Sequence, residues 1–124
     1  MPVVDTQGGA PALLSSAQTG NGDSTNIAGR QMGAVQGGGA VVITSAIGAT
    51  PTVTVNIQGS VDGTNFFNVP YALVATPRTF VITAITITTA VTTTYLLQES
   101  IFYRFLKLAY TANTNVTLTA TAYI

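Results

Sequence analysis

The sequence contains no cysteine, no histidine and no tryptophan, and only 6% of its residues are charged. Without cysteine, neither a disulfide framework nor a cysteine-ligated zinc site can form. Without histidine, the commonest metal ligand and general base is missing. These absences exclude the usual hydrolase triads. We therefore expect a protein that is not an enzyme and that needs no metal or cofactor.

The few charges that are present balance to a formal net charge of zero. Such a chain has no basic stripe to neutralise phosphates, so nucleic acid is not an expected partner. An ordinary soluble domain has about a quarter of its residues charged. Because uncharged apolar surface marks interfaces, we expect extensive burial in an assembly held by apolar and hydroxyl contacts. The alternative is a hydroxyl-rich surface of the kind found on secreted β proteins.

Long hydrophobic runs are also missing, since no apolar stretch reaches the roughly 18 residues that a membrane helix needs. The first residues, M-P-V-V-D, have neither the basic region nor the apolar core of a signal peptide. We expect no membrane partner. We also expect the protein to stay in the cytoplasm where it is made, unless it leaves as part of a larger particle.

The first 39 residues differ in composition from the remainder, because they hold nine of the twelve glycines. No long alternation of apolar and polar residues survives between these glycines, apart from a possible short strand over residues 30–36. We predict that residues 1–39 form an extended arm ordered by contact with another molecule, and that deleting residues 2–29 leaves the remaining domain folded. The apolar anchors of the arm would be Leu13, Leu14, Ile27 and Met32.

From Ala40 onward the chain is rich in β-branched and aromatic residues. The clearest element runs from Thr52 to Pro70, where Val53, Val55 and Ile57 alternate with polar residues before a turn at Asp62 and a second short strand. Further strands are predicted over residues 40–46, 71–75, 78–88, 92–98, 101–109 and 115–124. Residues 78–88 are apolar on both faces, which predicts a central strand.

The last strand also alternates, with Val116 and Leu118 on the same face as three further apolar residues. This face should pack inward together with Val55 and Ile57. No capping box precedes an apolar run at helical spacing. The sequence therefore predicts an all-β, antiparallel β-sandwich, jelly-roll-like and of about eight strands, over residues 40–124.

Few residues in this domain could carry chemistry. Asp62 and Glu99 are its acids, and a glycosidase needs two carboxylates about 5–10 Å apart. We favour a turn-forming Asp62 and an exposed Glu99. The D-G-T-N segment that starts at Asp62 is only a weak match to a calcium loop, because the spaced acids and the closing glutamate are missing.

Arg104 and Lys107 lie in an aromatic strand with Phe102, Tyr103 and Phe105. Aromatic residues beside cations could stack on sugars or on single-stranded nucleic acid. The favoured interpretation is that the aromatics belong to the core, while Arg104 and Lys107 reach an edge or pair across an interface. They are therefore predicted assembly contacts.

Three segments carry a resemblance to a known family: I-Q-G-S-V-D-G-T-N-F-F-N-V-P from Ile57, Y-R-F-L-K-L-A-Y from Tyr103, and V-T-L-T-A-T-A-Y from Val116. In residue pattern and in their order along the chain, these segments resemble small structural proteins of tailed bacteriophages, in particular capsid decoration (cement) proteins. The resemblance covers residues 50–124, and Phe66 stands where many relatives have tryptophan. It implies a β-sandwich that sits as a trimer on the outside of the shell, in contact with the major capsid protein.

Together these observations predict a non-enzymatic virion protein, made in the host cytoplasm, that binds and stabilises a phage capsid. The alternative within the same class of virion structural proteins is a tail or head-fibre component. The alternative from another class is a carbohydrate-binding module with Tyr71, Phe102 or Tyr103 as stacking residues.

Overall fold

The computed structural model describes residues 11–28, 39–98, 101 and 103–123. These residues form nine strands and no helix: β1 (Pro11–Gln18), β2 (Gly22–Asp23), β3 (Ile27–Ala28), β4 (Ala40–Ser60), β5 (Phe66–Asn68), β6 (Tyr71–Leu73), β7 (Ile85–Ile87), β8 (Thr92–Leu97) and β9 (Phe105–Tyr123). All the pairings are antiparallel. The all-β, antiparallel prediction is confirmed.

Two long strands, β4 of 21 residues and β9 of 19 residues, form a ribbon on which the other strands assemble. They pair from Ala40 opposite Tyr123 to Ser60 opposite Phe105. We predicted two separate strands, one before and one after residues 47–51. In the structure a single strand, β4, runs through this segment, and its pairing with β9 resumes beyond it. Register shifts there, and the left-handed backbone of Thr50 and Ala112 (φ +48° and +52°), absorb the irregularity as bulges.

The remaining strands divide between the two ends of this ribbon. What we call the β8 half contains β1, β6, β8 and ribbon residues 40–47 and 116–123. The β5 half contains β2, β3, β5, β7 and ribbon residues 52–60 and 105–114.

The ribbon is bent so strongly that the two halves share one core. Ser15 pairs with Ala120 in the β8 half, yet its Oγ lies 2.7 Å from the hydroxyl of Tyr110 in the β5 half. Ten residues of straight strand would separate Tyr110 from Ala120 by about 33 Å, much farther than two side chains can bridge. All nine strands belong to one continuous hydrogen-bonded sheet, so a jelly-roll-like sandwich of two separate sheets is not confirmed.

The core is built from the inward-facing positions that the alternation predicted. Val55, Ile57, Val116 and Leu118 are all buried and belong to one apolar cluster, so their predicted facing is confirmed. The packing around them is close: a Cβ added to Gly59 would lie 2.9 Å from Val69 Cγ2. Each fully buried valine or leucine contributes about 1.5–3 kcal/mol relative to an exposed one.

The predicted central strand over residues 78–88 is wrong. Only Ile85–Ile87 forms a strand in this segment, and it pairs with residues 53–55 of β4. Upstream, Val81 makes an isolated bridge with Tyr71, while Ile82 is exposed. The apolar residues that suggested two buried faces are instead partly on the surface, because among the described residues strand pairing with this segment is confined to residues 85–87 and a single bridge at Val81.

Part of the predicted arm pairs with β9 of its own chain, not with another molecule. β1 pairs with β9 from Pro11 opposite Tyr123 to Gln18 opposite Leu118, and β2 and β3 pair with the other end of β9. The structure thus supplies an intramolecular partner for residues 11–28. A domain boundary between residues 39 and 40 stays a prediction, and the possible strand over residues 30–36 lies outside the described residues.

Candidate functional site

The loop between β4 and β5 is organised by the carboxylate of Asp62. Its Oδ1 accepts hydrogen bonds from the backbone N–H groups of Thr64 and Asn65, each at 2.8 Å, and from Ser60 Oγ at 2.9 Å. Its Oδ2 accepts from Asn65 Nδ2 at 2.8 Å. These donors, led by the backbone N–H of Asn65, hold the pKa of Asp62 well below its usual range. The carboxylate therefore closes a turn, as the sequence predicted.

Beside this loop, four side chains form what we call the aromatic–cation patch: Phe66, Arg104, Phe105 and Lys107. Phe66 of β5 and Phe105 of β9 both pair with Ser60 of β4, so they flank the same strand. Lys107 Nζ lies 4.3 Å from the centre of the Phe66 ring, and Arg104 Cζ lies 5.8 Å from the centre of the Phe105 ring. Both distances are within the range of cation–π attraction.

Lys107 is also held by an ion pair, since its Nζ lies 2.8 Å from Asp23 Oδ2. This is the single ion pair within the described part of the chain, and Arg104 has no carboxylate partner there. An exposed pair contributes about 0–1 kcal/mol, so its main effect is to position the ammonium over Phe66. The structure therefore brings together two of the predicted assembly contacts, Arg104 and Lys107.

The four predicted anchors of the arm have different environments. Leu14 is only 1% exposed and belongs to the core, whereas its neighbour Leu13 is 55% exposed. Ile27 is partly buried against the core and pairs with Leu106, while Met32 lies outside the described residues. Leu13 pairs with Thr121 in the β8 half, whereas the rings of the aromatic–cation patch belong to the β5 half.

A pocket of about 350 Å³ opens where the loop after β6 meets β7 and β8. Its walls include Tyr71, Leu73, Val81, Ala84, Ile85 and Tyr95. The two tyrosine rings meet edge to face, with their centres 5.4 Å apart. The sequence gives no signal for this pocket, because Tyr71 and Tyr95 become neighbours only through the pairing of β6 with β8.

Two of the pocket residues, Leu73 and Val81, and the residues that follow them in the chain, Val74 and Ile82, are exposed aliphatic side chains, which we call the apolar rim. Val74 and Ile82 are the most exposed of the four, at 60% and 58%. They are not among the residues that line the pocket, whereas Leu73 and Val81 are. The described segment from residue 71 to residue 98 carries a single charge, on Arg78.

Two of the residues suggested for sugar stacking, Tyr71 and Tyr103, do not present exposed rings. Tyr103 is 0% exposed, and Tyr71 is buried with its hydroxyl 3.3 Å from Thr83 Oγ1. Burial raises the pKa of Tyr103. Phe102 and Glu99 lie outside the described residues. The two tyrosines are therefore core residues, so neither offers the platform that a carbohydrate-binding module requires.

Within residues 11–28, 39–98, 101 and 103–123, no three histidine, cysteine or acidic side chains come together as a metal site would require. The same residues contain no helix with the length and hydrophobicity for crossing a bilayer.

Comparison with known proteins relates the fold to one solved structure. The chain matches the crystal structure of the SPBc2 prophage-derived protein YomS with a TM-score of 0.58, over 99% of this chain and 100% of that one. The sequences are 11% identical, so the likeness concerns the fold alone. No protein-family model matches the sequence, and neither does any curated protein.

Proposed function

We propose that this protein is a structural component of a bacteriophage virion, and specifically a decoration (cement) protein that binds the outer surface of the capsid and stabilises it. The observation that carries the proposal is the fold, which is similar over the whole chain to that of a prophage-derived protein. The phage-like segments of the β4–β5 hairpin and of β9 support it independently. A role at the capsid surface would place the protein in the virion.

The surface is consistent with an assembly role. Only 6% of the residues are charged, and the exposed aliphatic residues of the apolar rim are the kind of surface that proteins normally bury against a partner. The proposed partners are the major capsid protein and further copies of this chain, arranged as a homotrimer. Neither nucleic acid nor a membrane is part of the proposal.

The aromatic–cation patch is the proposed contact with the shell. Arginine and aromatic side chains dominate the binding energy of many interfaces, and here two rings and two cations lie on either side of β4. Arg104 would pair with a carboxylate of the capsid protein, while Phe66 and Phe105 would supply apolar contact area.

The test is co-sedimentation with empty shells of the phage whose genome encodes the protein, prepared without it. We expect the wild type to sediment with the shells and to raise their melting temperature. The double variant Arg104→Ala, Lys107→Ala should bind at least about tenfold more weakly, because the proposed pairing of Arg104 with a capsid carboxylate and the two cation–π contacts are lost. Arg78→Ala is the matched control, since this exposed cation lies outside the patch.

Binding to purified tails or fibres, with none to the shells, would favour the tail or head-fibre role and contradict decoration. Equal weakening by the Arg78 control would show that the patch has no particular role in attachment.

A further inference from the structure

We propose that Asn21 is a modification site, at which the side-chain amide is lost spontaneously through a cyclic imide formed with the backbone nitrogen of Gly22. Asn21 lies between β1 and β2, and Gly22 is the first residue of β2. The inference concerns the covalent chemistry of the chain itself, so it does not depend on the proposed function.

The reaction needs only the chain and water. The backbone nitrogen of Gly22 attacks Cγ of Asn21 and a C–N bond forms, while the proton of that nitrogen passes through solvent to the amide nitrogen. The Cγ–Nδ2 bond then breaks and ammonia leaves. Water opens the cyclic imide at either carbonyl carbon: opening at Cγ gives aspartate, and opening at the main-chain carbonyl gives isoaspartate. Because the reacting groups are neighbours in one chain, the attack is intramolecular.

The folded structure favours the attack on Cγ. Asn21 Oδ1 accepts a hydrogen bond of 2.8 Å from the backbone N–H of Asn113. Negative charge develops on this oxygen as the nitrogen of Gly22 adds to Cγ, so a donor that is already in place stabilises the charge, as in an oxyanion hole. Asn21 is exposed, so water has access to the imide.

Gly22 supplies an unhindered nitrogen. It has no side chain, and a Cβ built at this residue would meet no atom within 4 Å. Its φ of +132° is one that residues with side chains rarely adopt. β2 has only two residues, which pair with Tyr110 and Ala109 of β9. Local opening of so short a strand costs little, and it releases the Gly22 amide for reaction.

The other asparagines of the chain lack this combination. Asp62 is also followed by a glycine, but its ionised carboxylate accepts four hydrogen bonds and is a poor electrophile. Every asparagine except Asn21 is followed by a residue with a bulky or β-branched side chain, which hinders attack by the backbone nitrogen of that residue. These pairs are Asn26–Ile27, Asn56–Ile57, Asn65–Phe66, Asn68–Val69, Asn113–Thr114 and Asn115–Val116.

The two products should affect β2 differently. Isoaspartate inserts an extra backbone carbon directly before Gly22, which disturbs the pairing of β2 with β9. Asp23 of β2 would then move relative to Lys107, whose Nζ lies 2.8 Å from its Oδ2. Aspartate at residue 21 leaves the backbone unchanged, and its carboxylate can still accept the hydrogen bond from Asn113. We therefore expect a lower Tm for the isoaspartate form alone.

The experiment is peptide mapping by mass spectrometry after incubation of the full chain in mildly alkaline buffer. We expect aspartate and isoaspartate at residue 21, without comparable conversion at the other asparagines. Gly22→Ala should slow the conversion at least about tenfold, because a side chain hinders the attack and resists this φ. Gly20→Ala is the matched control, since a Cβ there also meets no atom within 4 Å but Gly20 does not supply the attacking nitrogen.

Two further variants keep Gly22 and therefore the backbone of β2. Asn21→Gln retains an amide but must close a larger ring, so it should show no detectable conversion. Asn21→Asp introduces the charge of the aspartate product alone and should keep the Tm of the unmodified wild type, whereas the isolated isoaspartate form should melt at a lower temperature. The contribution of the fold is measured by comparing the folded chain with the chain unfolded in urea. We expect the folded chain to react at least as fast, because the N–H of Asn113 assists the attack only when the protein is folded.

An Asn21 that stays unmodified during prolonged incubation would overturn the inference. Much slower conversion in the folded chain than in urea would also overturn it, since the reactivity would then belong to the sequence and not to the folded site. Equal conversion of the wild type and the Gly22→Ala variant would show that the Gly22 nitrogen is not the attacking group. None of these outcomes bears on attachment to shells, so the proposed function is tested separately.

Discussion

The two neighbouring leucines of β1 provide a direct test of whether residues 11–28 belong to the folded core. Leu14 is 1% exposed and its carbonyl accepts a 3.0 Å hydrogen bond from Thr25 N–H, whereas Leu13 is 55% exposed. Leu13→Ala and Leu14→Ala remove the same atoms from adjacent positions on one strand. They differ only in what surrounds the side chain.

The expected magnitudes follow from this difference in burial. Truncating a fully buried leucine costs about 2–5 kcal/mol through lost transfer energy and the cavity left behind. For a domain of this size, each kcal/mol lowers Tm by roughly 4 °C, so Leu14→Ala should lower Tm by about 8–20 °C. Leu13→Ala should change stability by less than about 1 kcal/mol.

The measurement is thermal unfolding followed by circular dichroism, with all variants at one protein concentration because association shifts Tm. Deleting residues 2–29 should be more damaging than Leu14→Ala, contrary to what the sequence alone suggested. Equally mild effects of the two leucine substitutions, together with a deletion variant that unfolds like the wild type, would refute the assignment of β1 to the core.

Three other substitutions test local features. The folded-state pKa of Asp62 lies below its unfolded value of about 3.9, so the stabilising effect of this carboxylate is present above that pH and is lost as the pH falls further. Asp62→Asn should therefore flatten the fall of Tm in acid, and an unchanged acid profile would contradict this. Tyr103→Phe should leave Tm unchanged or raise it, because the buried hydroxyl has no partner among the described residues; a large loss of Tm would show that the hydroxyl is bonded. Thr50→Gly should stabilise the protein by about 1 kcal/mol, because it removes the steric cost of a β-branched residue in the left-handed conformation. Thr52→Gly is the control, since Thr52 has no positive φ and its replacement should destabilise the protein; urea unfolding compares the two variants.

Local pattern was enough to predict the strands whose partners lie nearby or whose alternation is long. The β4–β5 hairpin pairs Ser60 with Phe66 and Gln58 with Asn68, residues that are close in sequence, and φ is +83° at the turn residue Gly63. The inward face of β9 from Val116 onward follows from period-2 alternation alone, because successive side chains of a strand point to opposite faces. The sequence by itself therefore determined the all-β class, the hairpin and much of the core.

Only the tertiary structure decided which apolar residues stay on the surface and which surfaces meet. The contact of Ser15 with Tyr110 spans 95 positions, so nothing near Leu14 in the sequence indicates that it is buried. Conversely, residues 78–84 have strand-like composition, but β4 pairs with only three residues of β7, which leaves Ile82 exposed. Burial depends on whether a partner strand is present, and pairing between distant segments is a property of the whole fold. The pocket, the apolar rim and the aromatic–cation patch all arise from such pairings.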